Sequence, residues 1–219
     1  MIDALSHNIF LWPVILSGLI ALVISAERFG YLLFRATIAT GPFMAEVQRR
    51  ILSNELDAAI RHCNAEPWAP LPRVVRAALL AAPLPREEMV MAVDQALLDV
   101  TGDVQKRVGY LATIANVATL LGLLGTIVGL IRSFDAVAKV SVEEKQAALA
   151  AGIAMAMYTT AAGIAVAIPT LVAYSILVQR GNSVLDDAER CGLKVSMLLL
   201  ARQKGGAAEM GAAPETVER

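Results

Sequence analysis

Charge is what this chain lacks where lipid would meet it. Three stretches, residues 9–26, 110–131 and 146–179, hold no Asp, Glu, Lys, Arg or His. Charged residues make up only 18% of the sequence, against roughly 25% in ordinary soluble domains. Hydrophobic residues make up 57%, and the mean hydropathy is +0.59. With a net charge of −1 there is no basic surplus, so nucleic acid is excluded as a partner. Cysteine is scarce too: Cys63 and Cys191 fall in segments assigned below to the cytoplasm, where disulfides are uncommon, and both read as free thiols. Enzyme chemistry is missing as well. No Ser/His pair or pair of aspartates lies in the uncharged stretches, and no metal-ligand spacing occurs, so neither catalysis nor a cofactor or metal is expected.

What is present is apolar length. About 20 residues cross a bilayer as a helix, and each stretch reaches that length. A signal peptide is the competing reading of the first, but no Lys or Arg precedes it, as a signal's n-region would require. The segment before the first span holds only Asp3, and the connection after the second holds Arg132, Lys139 and Lys145. All other Lys and Arg lie between spans one and two or after span three, with Arg28, Arg35, Lys106, Arg107 and Arg180 close to span ends. The positive-inside rule then places the long loop and the C-terminus in the cytoplasm and the N-terminus outside. The expected order is an outer N-terminus (1–8), a first span (9–26), a helical cytoplasmic loop (27–109), a second span (110–131), and an outer loop (132–146). A third span (147–178), a cytoplasmic helix (179–202) and a disordered tail (203–219) follow. This is an all-α membrane protein with three transmembrane helices, the second and third extended into a helical cytoplasmic region.

The loop reads as helices punctuated by proline. Residues 43–52 and 55–63 form a short pair, the second started by Ser53 or Asn54 as N-cap. Pro67, Pro70 and Pro72 make an irregular turn before a helix over 73–81, and Pro83 with Pro85 makes a second break. From Arg86 the residues Met89, Val93, Ala96, Leu97, Val100, Val104 and Val108 recur at helical spacing, with only Gly102 and Gly109 as interruptions. A helix continuous from there to Ser133 would be about 70 Å long. His62 reads as a solvated surface residue.

Two spans carry polar and small residues in register. In the second, Thr113, Asn116, Thr119, Gly122, Thr126, Gly129 and Ser133 follow at spacings of three or four; in the third, Ala156, Thr160, Gly163, Ala167, Thr170 and Tyr174 do the same, with Thr159 beside them. Small residues such as Gly122, Gly125, Gly129 and Gly163 suit close helix packing. Pro169 would kink the third span and free a carbonyl. Tyr158 and Tyr174 read as interface anchors, and Arg132 with Asp135 as an interfacial ion pair. Because no side chain in these spans takes up and releases a proton at ordinary pKa, any titratable group must come from elsewhere, and the stripes read as a polar socket for a partner helix.

The runs LATIANVATLLGLLGTIVGLIRSF (111–134) and GIAMAMYTTAAGIAVAIP (152–169) closely resemble the signature hairpin of the ExbB/TolQ/MotA proton-channel family. The resemblance covers residues 86–180 well and the remainder in layout only. It implies a homopentamer whose second and third spans line a pore. Inside sits a pair of single-span ExbD/TolR-like subunits, each bringing an intramembrane Asp, in a bacterial inner membrane with a periplasmic N-terminus and cytoplasmic C-terminus. Thr126 falls on the family's pore threonine and Thr160 on the threonine of the third span; Thr159, Asn116 and Thr119 join them as ion-pathway or partner-facing residues. Met155 stands where many ExbB and TolQ sequences carry Glu, which suggests a divergent branch, for example one driving gliding. The expected function is a stator subunit of a motor driven by the proton-motive force, in Ton/Tol-like transport, envelope maintenance or motility. The rival is a non-conducting membrane scaffold acting through its cytoplasmic helices.

Overall fold

The apolar runs and the proline-punctuated loop fold as helices throughout, and among the described residues there is no strand. The computed structural model describes the backbone of residues 11–211 and the side chains of residues 11–33 and 36–203. The expectations for the outer N-terminus, the first residues of span one and the end of the tail lie outside these residues. The helices are α1 (Leu11–Gly30), continued by a π-helical turn (Tyr31–Arg35), α2 (Thr40–Leu52), α3 (Leu56–Asn64), α4 (Pro70–Leu80), α5 (Arg86–Gln105), α6 (Val108–Val137) and α7 (Lys145–Gly211). Among the described residues, three stretches, beginning at Leu11, Arg86 and Lys145, are long and apolar enough to cross a membrane.

The chain divides into two compact units. The apolar unit comprises α1, α6 and the first part of α7, to Val178. Its interior is built from small residues. On α6, Leu111, Ala115, Ala118, Gly122, Gly125 and Ser133 are buried, while Leu120, Leu123, Ile127 and Ile131 stay exposed for lipid or another chain. On α1, Gly18 lies against α7: a Cβ there would come 3.1 Å from a Val166 methyl.

The charge-rich unit holds the π-helical turn, α2 to α5 and the rest of α7. Its core is aliphatic, with Val47, Ile51, Leu71, Val74, Leu79, Met89, Val93, Val195 and Leu199 in one cluster. Each such side chain, fully buried, contributes about 1.5–3 kcal/mol. The periodic line of α5 behaves as its spacing predicts: Met89, Val93, Val100 and Val104 are buried.

Several boundaries differ from the sequence reading. Asn54 is not an N-cap. It adopts the left-handed conformation, φ 64°, between α2 and α3, a region Asn tolerates better than most residues, and its Oδ1 accepts a hydrogen bond from Arg202. Arg202 also donates to the Ile51 carbonyl at 3.1 Å. α4 starts at Pro70, so both Pro70 and Pro72 sit in its first turn, where a missing N–H leaves no bond unmade. His62 is half-buried and stacks on Phe43 with centroids 5.1 Å apart, where solvation was expected. The expected 70 Å helix is two helices: α5 ends at Gln105 and α6 begins at Val108, with Arg107 left-handed at φ 62°. Neither Gly102 nor Gly109 makes the break, since both lie inside helices. The helical backbone of α7 continues past Gln203 to Gly211 through a stretch with no proline, where a disordered tail was expected.

Candidate ion pathway and helix seam

Spans two and three meet backbone to backbone. A Cβ on Gly122 would stand 3.1 Å from the Thr159 carbonyl, one on Gly125 2.6 Å from Thr159 Oγ1, one on Gly129 2.7 Å from Ala156 Cβ, and one on Gly163 2.6 Å from the Ala118 carbonyl. A Cβ on Gly152 would overlap Ser133. The contacts step down α6 as they step up α7, the mark of an antiparallel hairpin. Any side chain at these glycines would force the helices apart, as close approach of backbones in lipid requires them to be bare. Gly122, Gly125, Gly129 and Gly163 therefore all lie in the contact between the two helices.

The hydroxyls divide into two groups. Thr159 is fully buried in the seam against Gly125 and donates to the Ala156 carbonyl at 2.6 Å. Thr160 reaches across the seam and donates to the Gly122 carbonyl at 2.9 Å. Both are thus engaged within one chain. Thr126, half-buried, donates to Leu123 of its own helix at 2.6 Å, and exposed Thr119 donates to Ala115 at 3.1 Å. Asn116 and Thr113 are exposed. A threonine hydroxyl that gives its proton to a carbonyl one turn back keeps its lone pairs, so Thr126 and Thr119 remain acceptors for a proton-bearing group brought by another chain.

The polar stripe of the second span is therefore not one face. Steps of three residues turn about 60° short of a full circle, so Thr113, Asn116 and Thr119 wind progressively away from the line that holds Gly122. The line that packs is Leu111, Ala115, Ala118, Gly122, Gly125, Gly129 and Ser133, in steps of three and four. Alanine of the second span was the signal missed: Ala115 and Ala118 look like generic apolar residues in sequence, yet both are fully buried.

Near one end of the seam a cleft of about 150 Å³ is lined by Gly125, Gly129, Arg132, Ser133, Gly152 and Met155, among others. The thioether of Met155 leaves it without an acidic group at that position. Asp135 pairs with Lys139 at 3.1 Å and not with Arg132 as expected. Farther along α7, Pro169 lies inside the helix, and Thr170 donates to the Val166 carbonyl at 2.7 Å beside it. Proline has no N–H to offer Ala165, the carbonyl one turn back. Ala165 and Pro169 both line an apolar groove against α1, formed with Ile15, Leu19 and Leu22.

In the charge-rich unit, burial pushes the Cys63 thiol up to about 11, with nearby Arg76 opposing the shift, and also raises that of Cys191. Both are free and buried. Hydrogen bonds from Arg49 and Arg50 hold the half-buried Glu46 carboxyl down to about 2.

Comparison with known proteins places the hairpin in a family. The description "MotA/TolQ/ExbB proton channel family" belongs to the family model that matches residues 66–190. A putative biopolymer transport protein ExbB homolog of Methanothermobacter thermautotrophicus is 27% identical over 78% of this chain and 60% of its own length. The Tol-Pal system protein TolQ of Haemophilus influenzae is 41% identical over 38% of the chain and 36% of its own length. The chain thus spans less than two thirds of either relative. Putative biopolymer transport protein ExbB-like 1 of Synechocystis is 30% identical over 90% of the chain and 77% of its own length. With three membrane-length helices, a glycine-seamed hairpin and a family match over more than half its length, the chain belongs to the MotA/TolQ/ExbB proton channel family.

Proposed function

We propose that the chain is the pore-forming subunit of an ion-driven motor. Copies form a ring around a single-span ExbD/TolR-like partner, and proton flow through the ring does mechanical work at the cell envelope. The observation that carries this reading is a division of labour in the hairpin. Thr159 is buried in the seam and Thr160 bonds across it, while Thr126, Thr119 and Asn116 keep hydrogen-bonding capacity off it, in spans with no Asp, Glu, Lys, Arg or His. A carboxyl group arriving on a partner helix would find hydrogen-bond acceptors but no competing charge. The names of the relatives, biopolymer transport proteins and a Tol-Pal system protein, support a transport role. Membership of a membrane family with the basic residues clustered beside α1 and α5 supports a bacterial inner-membrane location, N-terminus outside.

Thr126→Val tests the reading, because Thr126 bonds only its own helix and valine keeps its shape. The expected outcome is an intact complex with gradient-dependent function reduced at least ten-fold. Full function in that variant, with assembly unchanged by native mass spectrometry, would remove Thr126 from the pathway and favour a non-conducting scaffold.

A further inference from the structure

We infer that the break between α5 and α6 is a switch with two forms, and that the ion pair of Glu27 with Arg107 is the latch that keeps it broken. Nothing local calls for a break. Gln105, Lys106 and Arg107 all favour helix, no proline lies between Pro85 and Pro169, and Gly102 and Gly109 sit inside helices. The buried line also keeps step across the gap. Val100, Val104, Val108, Leu111, Ala115 and Ala118 follow at spacings of three and four, as on one continuous helix, and each is buried. Yet two residues leave the helix: Lys106 is extended, with ψ 130°, and Arg107 is left-handed, with φ 62°. From Val108 the chain is helical again. A segment whose every local preference is for one helix, folded as two, holds local and global structure in conflict, and strain of this kind marks elements that change state.

The group that opposes the helix is Glu27. Arg107 Nη1 donates to both of its carboxylate oxygens, at 2.8 and 2.9 Å. Both residues belong to the apolar unit, so the pair ties the last turns of α1 to the residue that precedes α6. The two side chains are 49% and 47% exposed, which makes the tie a weak one. A left-handed arginine costs energy of the same order, so two small terms oppose each other and neither form is locked. Release of Glu27 lets Lys106 and Arg107 return to helical angles. The Val108 and Gly109 amides, which open α6 without a partner in their own helix, then bond the Val104 and Gln105 carbonyls, and α5 and α6 become one helix. In the latched form a displacement of span two ends at Lys106. In the released form it passes into α5. This holds whatever the pore conducts.

Hydrogen–deuterium exchange of the full chain in detergent, read by mass spectrometry with fragmentation to single amides, tests the switch at Val108 and Gly109, with rates corrected for substituted neighbours. Glu27→Gln is expected to slow their exchange about two-fold or more, as loss of a weak ion pair allows. Arg107→Ala, which removes the pair and leaves a residue that prefers helix, should slow it about five-fold or more. Arg107→Gly also loses the pair but accepts the left-handed form, and should exchange as fast as the native chain. The swapped pair, Glu27→Arg with Arg107→Glu, should return the native rate. An unchanged or faster rate in Glu27→Gln would overturn the latch, and the same result in Arg107→Ala would overturn the continuous form. Slowing in Arg107→Gly equal to that in Arg107→Ala would overturn the part played by the left-handed residue.

Discussion

The two units achieve burial by opposite means. The apolar unit brings helices together by removing side chains: Gly122 and Gly163 let backbone touch backbone, Gly125, Gly129 and Gly152 make room for Thr159, Ala156 and Ser133, and apart from Leu111 most of the large Leu and Ile residues of α6 are exposed. The charge-rich unit brings helices together by filling space, with Ile51, Leu79, Met89 and Val93 inside and charge outside. Their solvents explain the difference. In water, moving a large aliphatic side chain inside is favourable in itself. In lipid it gains nothing, because lipid is as apolar as leucine, and association depends on close contact and on hydrogen bonds such as that of Thr160 to Gly122.

The comparison can be broken most sharply at Gly163. Its Cβ would fall 2.6 Å from the Ala118 carbonyl, a backbone atom that cannot swing aside. Gly163→Val is expected to prevent accumulation of the folded protein, read as loss of the monodisperse peak in size-exclusion chromatography in detergent. A normal peak would mean that the hairpin is not seamed there. In the other unit the matching change is a deletion. Met89→Ala empties a fully buried position and should cost about 2–5 kcal/mol, measured as a lowered thermal midpoint of the purified protein. The smallest effect expected is chemical. With its pKa raised to about 11, the Cys63 thiol should alkylate at pH 8 at least ten-fold more slowly than an unfolded-chain cysteine, as read by mass spectrometry. A raised thiol pKa favours the neutral form in the folded state. Its contribution to stability is full below the unfolded value of 9.0 and is lost as pH rises toward 11.

Much of this was legible in the sequence because periodicity and charge are local signals. The three apolar stretches and the buried line of α5 follow from residue type and spacing alone. The polar stripe of the second span was legible only in part, since steps of three look aligned on paper and drift on a real helix. Whether a threonine faces its own carbonyl, as Thr126 does, or crosses to another helix, as Thr160 does, depends on the partner's position and leaves no mark in the chain. Nor does any local signal announce that Arg107, beside permissive glycines, would itself take the left-handed conformation. An isolated arginine avoids it by roughly 1–2 kcal/mol. Here Arg107 is paired with Glu27, 80 positions away, at 2.8 and 2.9 Å.

That break has a mechanical consequence. A hydrogen-bonded helix resists twisting because every residue is tied to the one a turn away. α7 stays helical from Lys145 to Gly211 and lacks one rung, at Pro169, whereas between Gln105 and Val108 the helix itself is interrupted. Torque applied to α7 is therefore carried along its axis as by a shaft. Torque applied to α6 is taken up by the four soft backbone dihedrals of Lys106 and Arg107, which act as a universal joint.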